Sequence, residues 1–228
     1  MKTHSDWSPS IRYRAIYGRL FDDVEPIKEH LLALPWETKR SARHEYFMSD
    51  HKLSYSYDKQ REGAAPVPLY SSKPMTEDVQ RIMNGLNYLL ESNFNACFLN
   101  KYDDHLQHLG WHADDFDGMD QSQPIAVVSF GAEREIWLKD QRGFSCETCN
   151  GSGEIPVGFG LTCGVCEGSG FTKAPPNGKQ PMDQRVLLEE GSLFVMPVGY
   201  QSTHFHRIPK HDRPCGWRIS LTFRSFLP

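Results

Sequence analysis

The sequence lacks a long apolar run. None of its hydrophobic stretches approaches the roughly 18 uninterrupted apolar residues that a membrane-spanning helix requires. The segment Met1–Ser10 is polar and carries no apolar core of a secretory signal. We therefore expect no membrane partner and an intracellular soluble protein, cytoplasmic or, in a eukaryote, nuclear.

An excess of positive charge is also missing. The 228 residues include 25 lysines and arginines against 29 aspartates and glutamates, which gives a formal net charge of −4. This balance excludes a protein that coats nucleic acid through bulk electrostatics, so any such contact must be local. Two basic stretches could supply it, Lys39–Arg61 (which includes Arg43) and Arg207–Arg213, although ordinary solvated surface explains most of these charges individually.

Cysteine is present, but not in the pattern of a disulfide framework. Four of the six cysteines form two C-x-x-C pairs with the shared pattern C-x-x-C-x-G-x-G: Cys146, Cys149, Cys163 and Cys166. Two such pairs can bring four thiolates to one tetrahedral zinc, and the glycines let the backbone wrap round the metal. A redox C-x-x-C is the competing interpretation, but redox sites rarely occur as duplicated pairs. Because four thiolates leave no open coordination position, we expect a structural Zn(II) that folds a glycine-rich loop.

The chain reads as one domain with an insertion. Helical spacing over Val24–Leu34 and from Thr76 to Leu90 precedes many short apolar runs that read as strands. The runs are Ala96–Leu99, Ile125–Phe130, Glu135–Leu138, Arg185–Leu188, Ser192–Met196 and Trp217–Phe223. This order predicts an α+β domain, 1–142 and 179–228, with a double-stranded β-helix (jelly-roll) core and N-terminal flanking helices. Residues 143–178 form the inserted zinc-binding loop.

An H-x-D pair, His112 and Asp114, follows a short apolar segment. Its spacing lets both side chains project from one strand end toward one point, and a distant histidine, His204 or His206, could complete a two-histidine, one-carboxylate site. Such a site leaves three positions free on iron, which a bidentate co-substrate and dioxygen can fill. H-x-D alone is weak support for a metal site, because it occurs by chance in many chains.

Two arginines near the C-terminus share one face of a predicted strand. Arg218 and Arg224 lie six positions apart, and side chains alternate along a strand, so both point the same way. Two buried guanidiniums need anionic partners, and a dicarboxylate such as 2-oxoglutarate satisfies both through charge-assisted hydrogen bonds. An amphipathic edge strand with solvated arginines is the alternative.

Taken together, these motifs resemble a known enzyme family. NKYDDHLQHLGWHADD, IAVVSFGAEREIWL, HRIP and RISLTFR occur in the order and near the spacing of the AlkB family of alkylated-base dioxygenases. The resemblance covers roughly Phe94 to the C-terminus outside the insertion, and more weakly Trp36–Leu90. The cysteine units resemble the repeat of DnaJ-type chaperones, but two units without a J-domain do not imply a chaperone.

The resemblance implies specific site residues. The family's iron ligands match His112, Asp114 and His206, with His206 preferred over His204 because it has the family's H-x-x-P context. The co-substrate contacts match five residues: Asn100, Tyr102, Arg218, Thr222 and Arg224. Arg224 is expected to bind the distal carboxylate and Arg218 to lie closer to iron. Ser220 departs from the asparagine that the family usually carries.

Substrate contacts follow from the same resemblance. Tyr57, with Tyr55 nearby, matches the segment whose rings stack on a flipped base. Asp115 matches a residue that contacts the base edge, and Arg43 belongs to the basic stretch that could hold the substrate. The alternatives are tyrosines that face the core and an exposed aspartate that caps a turn.

The implied activity is Fe(II)- and 2-oxoglutarate-dependent oxidative demethylation of alkylated bases. The reaction consumes O2 and releases succinate, CO2 and formaldehyde. DNA is favoured over RNA as substrate, and we expect a monomer. The alternatives are an RNA or protein demethylase or hydroxylase of the same family, a small-molecule hydroxylase on the same scaffold, and a zinc-stabilised binding module without catalysis.

Overall fold

A computed structural model describes most of the chain. The described residues are 16–19, 23–40, 42–56, 69–116, 118–141, 143–146, 148–149, 152–155, 161–172 and 184–227. Tyr57 lies outside them. Within these ranges, no helix has both the length and the apolar character needed to cross a membrane.

The described elements are fifteen strands and two helices. In chain order they are β1 Ile16–Arg19, α1 Glu25–Leu32, β2 Glu37–Arg40, β3 Arg43–Met48, β4 Ser54–Tyr55, β5 Tyr70–Ser71, α2 Glu77–Leu90, β6 Ala96–Tyr102, β7 Leu109–His112, β8 Ile125–Gly131, β9 Arg134–Asp140, β10 Phe144–Ser145, β11 Phe171–Thr172, β12 Gln184–Leu188, β13 Ser192–Met196, β14 His204–Ile208 and β15 Arg218–Arg224. Both predicted helices and all six predicted strands are present, with small shifts at their ends.

Two antiparallel sheets form the core. The larger has seven strands in the order β1-β13-β8-β15-β6-β3-β2, and the smaller has four in the order β12-β9-β14-β7. Strands β4 and β5 pair separately, as do β10 and β11. The chain switches between the two sheets at each step from β7 to β9 and again from β12 to β15, while β9 and β12 pair within the smaller sheet. This arrangement confirms the predicted jelly roll.

Both helices cover the outer face of the seven-stranded sheet. In α2, Val79, Ile82, Met83 and Leu86 are buried at helical spacing and pack in one cluster with sheet residues such as Leu221. The acidic residues in the first turn of α2 suit the positive end of its dipole. This layer leaves the opposite face of the seven-stranded sheet to pack against the four-stranded sheet.

Strand β15 is buried along its whole length, and its two faces differ in chemistry. Ile219, Leu221 and Phe223 join the cluster beneath the helices. The alternate positions carry Arg218, Ser220, Thr222 and Arg224, which line a cavity between the two sheets. Because side chains alternate along a strand, this one strand both completes the apolar core and supplies a polar wall for the cavity.

The cysteine units lie between β9 and β12. β10 pairs with β11, and in the sequence these two strands flank the four cysteines of the C-x-x-C pairs. The described part of the insertion therefore begins three residues after the end of β9 and closes on itself at its base. The proposed boundary at residue 178 lies outside the described residues.

Candidate functional site: a metal centre and the adjoining cavity

Two adjacent strands of the four-stranded sheet hold a pair of histidines. His112 ends β7 and His206 lies in the middle of β14, where the antiparallel register places them directly opposite each other. Their ring centroids are 4.1 Å apart. Cross-strand neighbours of this kind are held by the backbone ladder, so the pair is rigidly placed.

Asp114 completes the cluster two residues after β7. His112 Nε2 lies 3.7 Å from Asp114 Oδ1, and His206 Nε2 lies 3.8 Å from Oδ2. The three ligand atoms all fall within 4.8 Å of one another. Nδ1 of His112 is 2.9 Å from the Gly110 carbonyl, so it donates its proton there and leaves Nε2 as a lone-pair ligand.

His204, the other histidine of the C-terminal segment, does not join this cluster. Its ring stacks on Tyr200 with centroids 4.5 Å apart and planes within 13°. Its Nδ1 lies 2.9 Å from Thr203 Oγ1. Of the two histidines that the sequence offered, the structure thus brings His206 to His112 and Asp114.

The electrostatics suit a cation. Burial alone would raise the pKa of Asp114, but the positive charge of Arg224 and the two imidazoles hold that pKa well below its usual range. Burial, with His112 adding to it, lowers the pKa of His206 to about 3, and burial also lowers the pKa of His112. At neutral pH the cluster therefore presents one carboxylate and two neutral imidazoles, the ligand forms that a metal requires.

The cavity beside these ligands extends between the sheets. It is lined by the predicted co-substrate residues together with the three metal-ligand candidates: Asn100, Tyr102, Arg218, Thr222, Arg224, His112, Asp114 and His206. Ser220, which stands where the family usually has asparagine, also lines it and faces Asn100 across the β15–β6 register. All five predicted co-substrate residues therefore lie in one place.

The order of the two arginines is the reverse of the expectation. Arg224 Nη2 donates to Asp114 Oδ2 at 2.8 Å, so Arg224 lies beside the metal ligands. Arg218 lies at the other end of the wall, 5.6 Å from the Tyr102 ring centroid, and donates to Ser129 Oγ at 3.0 Å. The reason is the path of the chain after Asp114, which runs alongside the end of β15, where the Asp120 N–H donates to the Ser225 carbonyl.

The Arg218 end of the cavity has the chemistry to bind a carboxylate. Among the described residues, Arg218 Nε, Arg218 Nη1 and the Tyr102 hydroxyl are buried without a hydrogen-bond partner. Burial lowers the pKa of Arg218 to about 10 and raises that of Tyr102, so at neutral pH both groups are donors. Buried donors of this kind are costly unless an anion accepts from them, so these residues fit the distal carboxylate of 2-oxoglutarate.

Two predicted substrate contacts are placed elsewhere by the structure. Tyr55 is 1% exposed and packs among Phe47, Phe98 and Phe226, with its hydroxyl 3.4 Å from Asp114 Oδ1. It is a core residue that touches a metal ligand, and its ring offers no surface for stacking. The structure therefore places Tyr55 in the core, because the alternation of β4 turns this residue inward.

Arg43 is also buried. It forms an ion pair with Glu45 at 3.0 Å, both side chains being at most 3% exposed, and its Nε donates to Asn100 Oδ1 at 2.8 Å. The structure therefore places Arg43 behind the cavity, where it orients the cavity residue Asn100. Asp115 is exposed immediately beyond Asp114, and Tyr57 lies outside the described residues.

Sequence reasoning missed Ser129 as a site residue. Its hydroxyl is the one described hydrogen-bond partner of the Arg218 guanidinium, and it is 2% exposed on β8. A signal was available, because Ser129 is the single polar residue in the apolar run Ile125–Phe130. A buried hydroxyl in such a run needs a partner, and here it orients the arginine.

The four cysteines converge as a second candidate metal centre. Cys146 Sγ lies 3.8 Å from Cys163 Sγ, and Cys149 Sγ lies 3.6 Å from Cys166 Sγ, with all four residues buried. The two units are joined crosswise, since the Cys146 N–H donates to the Gly170 carbonyl and the Cys163 N–H to the Gly153 carbonyl. This is the geometry that a four-thiolate zinc requires.

Comparison with known proteins gives a consistent picture. Residues 17–224 match the family model described as the 2OG-Fe(II) oxygenase superfamily. The DNA oxidative demethylase ALKBH2 of Arabidopsis thaliana is 34% identical over 137 residues, which covers 60% of this chain and 39% of that protein. Human DNA oxidative demethylase ALKBH2 is 28% identical over 159 residues, covering 69% of this chain and 49% of that protein.

More distant relatives match a larger share of the chain. Human alpha-ketoglutarate-dependent dioxygenase alkB homolog 3 is 22% identical over 199 residues, covering 86% of this chain and 58% of that protein. The chain therefore spans about two fifths to three fifths of the length of these curated relatives. The solved structure of OsALKBH1 has the same fold, with a TM-score of 0.50, 15% identity, and coverage of 92% of this chain and 97% of that one.

Proposed function

The chain belongs to the 2OG-Fe(II) oxygenase superfamily, and we propose from this membership that it oxidatively demethylates alkylated bases in DNA. The observation that carries the proposal is the convergence of His112, Asp114 and His206 beside a cavity walled by Arg218 and Arg224. When bound, iron(II) and 2-oxoglutarate would activate dioxygen to hydroxylate an N-methyl group, with succinate, CO2 and formaldehyde as products.

The first task of the protein's own residues is to hold the metal ion. His112 and His206 present Nε2, and Asp114 presents its carboxylate, so these three residues would hold the ion and would leave positions open for the co-substrate and dioxygen. Arg224 and Tyr55 both reach the Asp114 carboxylate, at 2.8 Å and 3.4 Å. These contacts hold the carboxylate in one orientation, as hydrogen bonds to metal ligands commonly do.

The co-substrate is placed by the polar face of β15. We assign its distal carboxylate to Arg218 and the Tyr102 hydroxyl, whose buried donors need an acceptor. Asn100 and Thr222 line the space between the two ends of the cavity, and Arg224 acts at the metal end. The surrounding apolar side chains exclude water from the site, which protects a reactive oxidant.

DNA is the proposed substrate because two of the similar relatives are named DNA oxidative demethylases. A local basic surface supports this choice in a chain of net negative charge. Lys210 and Arg213 line an open cavity of about 260 Å³ together with Arg185, and Arg207 stacks on Trp137 with 4.3 Å between guanidinium carbon and ring centroid. Exposed cations and cation-stacked rings suit a phosphate backbone and bases.

Two residues remain proposed substrate contacts. Asp115 is exposed one position beyond the metal ligand Asp114, where it can reach the edge of a base near the metal. Tyr57 is proposed to stack on that base. The cysteine cluster is proposed to hold a structural Zn(II), because four thiolates leave no position for a reactant.

The test is incubation with iron(II), 2-oxoglutarate and oligonucleotides that carry 1-methyladenine or 3-methylcytosine, as single- and double-stranded DNA and as RNA. We expect loss of the methyl group, measured by mass spectrometry, and faster loss from DNA. Demethylation of RNA alone would move the substrate assignment to RNA. No demethylation on any strand, with iron bound, would overturn the proposed function.

A further inference from the structure

Asp114 is held through its backbone as well as its carboxylate. The Asp114 N–H donates to Gln201 Oε1 at 2.8 Å, and the Asp114 carbonyl lies 3.4 Å from Gln121 Nε2. Gln201 is 6% exposed and its own Nε2 lies 3.4 Å from Met196 Sδ, so its side chain is confined on both sides. The position of Asp114 relative to the two histidines therefore depends on where Gln201 stands.

Gln201 is in turn held by the root of the cysteine loop. Gln141, the residue directly after β9, donates from Nε2 to the Gln201 carbonyl at 2.8 Å and lies 3.3 Å from the His204 carbonyl. Its backbone N–H donates to the Thr203 carbonyl at 2.8 Å. Three residues later the chain enters β10, the first strand of the cysteine loop.

The two candidate metal centres are thus connected through Gln141 and Gln201. The backbone joins the cysteine loop to Gln141, and hydrogen bonds join Gln141 to Gln201 and Gln201 to the backbone N–H of Asp114. Each link joins buried or half-buried groups, in which a lost partner leaves a desolvated donor or acceptor. Among the described residues, Ile155 is the one apolar side chain outside the four cysteines that packs in their cluster. Without zinc the loop would lose most of what holds it together, and Gln141 would lose its fixed exit direction.

We propose that Gln201 is a positioning residue for the metal-binding carboxylate of Asp114, and that through Gln141 it makes the affinity of the iron site depend on zinc in the cysteine loop. The inference rests on the proposed metal centres, but its readout is metal binding and needs no substrate. Zinc then regulates the iron site in addition to holding the cysteine loop together.

The positioning role is tested with Mn(II) as a redox-stable probe of the iron site. Gln201→Met keeps the length of the side chain and removes the acceptor, so Mn(II) affinity should fall by roughly 10- to 100-fold, the usual effect of losing a hydrogen-bond partner of a metal ligand. The electron paramagnetic resonance spectrum of the saturated variant should also differ from that of the unmodified protein, because the carboxylate moves.

The matched control is Gln123→Met. Gln123 Oε1 accepts from the Asn93 N–H at 3.2 Å, the same kind of bond at a turn that contributes nothing to the cavity. This variant should keep both the affinity and the spectrum even if its thermal stability falls. Equal Mn(II) affinities and spectra in both variants and the unmodified protein would overturn the role of Gln201.

The coupling is tested by comparing zinc-loaded and zinc-free protein. Removal of zinc from the cysteines should lower Mn(II) affinity by up to about tenfold, the equivalent of one lost hydrogen bond. Gln141→Ala should lower the affinity with zinc present and make it insensitive to zinc removal. Unchanged affinity on zinc removal in the unmodified protein would overturn the coupling. Absence of Mn(II) binding in every protein would contradict the proposed iron site itself.

Discussion

Among single residues, His206 and His204 offer the sharpest contrast. They lie two positions apart on β14, yet only His206 faces Asp114, while His204 stacks on Tyr200. His206→Ala should lower metal affinity by more than the roughly 10- to 100-fold caused by changes in outer hydrogen-bond partners. His204→Ala should leave it nearly unchanged. Isothermal titration with Mn(II) compares the two, and the opposite order would reassign the ligand.

The two histidines of the metal cluster also predict how stability depends on pH. Burial lowers the pKa of His206 to about 3 and lowers that of His112, so the unfolded chain binds more protons than the folded one below about pH 6.5. The metal-free protein should therefore lose stability as pH falls from about 6.5 toward 3, by up to roughly 1.4 kcal/mol per pH unit for each proton taken up.

Chemical denaturation at a series of pH values measures this slope. His206→Gln removes one of the titrating groups and should flatten the curve over that window. A variant as steep as the unmodified protein would show that other groups cause the acid sensitivity.

Neutral replacements of Arg218 and Arg224 should weaken different binding steps. Arg218→Met removes charge-assisted donors at the distal end of the cavity and should weaken 2-oxoglutarate binding by roughly 10- to 100-fold with metal affinity nearly unchanged. Arg224→Met removes the 2.8 Å contact with Asp114 and should weaken metal binding as well. Titrations of Mn(II), then of 2-oxoglutarate, separate the two effects. If Arg218→Met were the variant that lost metal, the assignment of the two ends would be reversed.

Among the helices and strands, sequence periodicity predicted best those segments that bury one consistently apolar face. α2 and β15 were predicted closely, because α2 carries Ile82 and Leu86 at helical spacing and β15 alternates apolar and polar residues. β7 was expected only as a strand end that carries the H-x-D pair, without bounds. It is four residues long, contains Gly110 and has no buried residue, so its pairing with β14 decides its structure.

The order of the arginines could not be read from β15 alone. The alternation of side chains along a strand correctly placed Arg218 and Arg224 on one face. Which of the two lies near the metal ligands depends on where the segment after Asp114 runs. That path is set by contacts far apart in sequence, such as the bridge between Met119 and Phe226. The inward position of Tyr55 could not be read from the sequence for a similar reason, since alternation gives two faces but does not say which one is buried.

Two glycines of the cysteine loop, Gly153 and Gly164, should differ in whether they tolerate replacement by alanine. Gly153 has a φ of +80°, and a Cβ there would lie 2.2 Å from the Gly168 carbonyl oxygen. A Cβ on Gly164 would meet nothing within 4 Å. Gly153→Ala should weaken zinc binding by about tenfold or more, because a non-glycine residue in this conformation costs roughly 1–3 kcal/mol before the clash is counted.

Zinc affinity is measured by competition with a chromogenic chelator, with Gly164→Ala as the control that should bind like the unmodified protein. Equal affinities in the two variants would contradict the crosswise packing of the two cysteine units.

In the molecule as a whole, each of two structural units carries one candidate metal site. The jelly roll places a polar wall and three metal ligands between its sheets, and the insertion gathers four thiolates beside the exit of β9. Fold alone does not specify a substrate, so the central claim concerns the reaction: each methyl group removed from a base should consume one molecule of 2-oxoglutarate.

The most direct measurement is a single-turnover experiment with iron(II)-loaded protein, limiting 2-oxoglutarate and a methylated oligonucleotide, in which succinate and repaired base are quantified together. We expect equal amounts of the two products, and neither product when Asp114 is replaced by alanine. Succinate without repaired base on every methylated strand, or repaired base without succinate, would contradict the central claim.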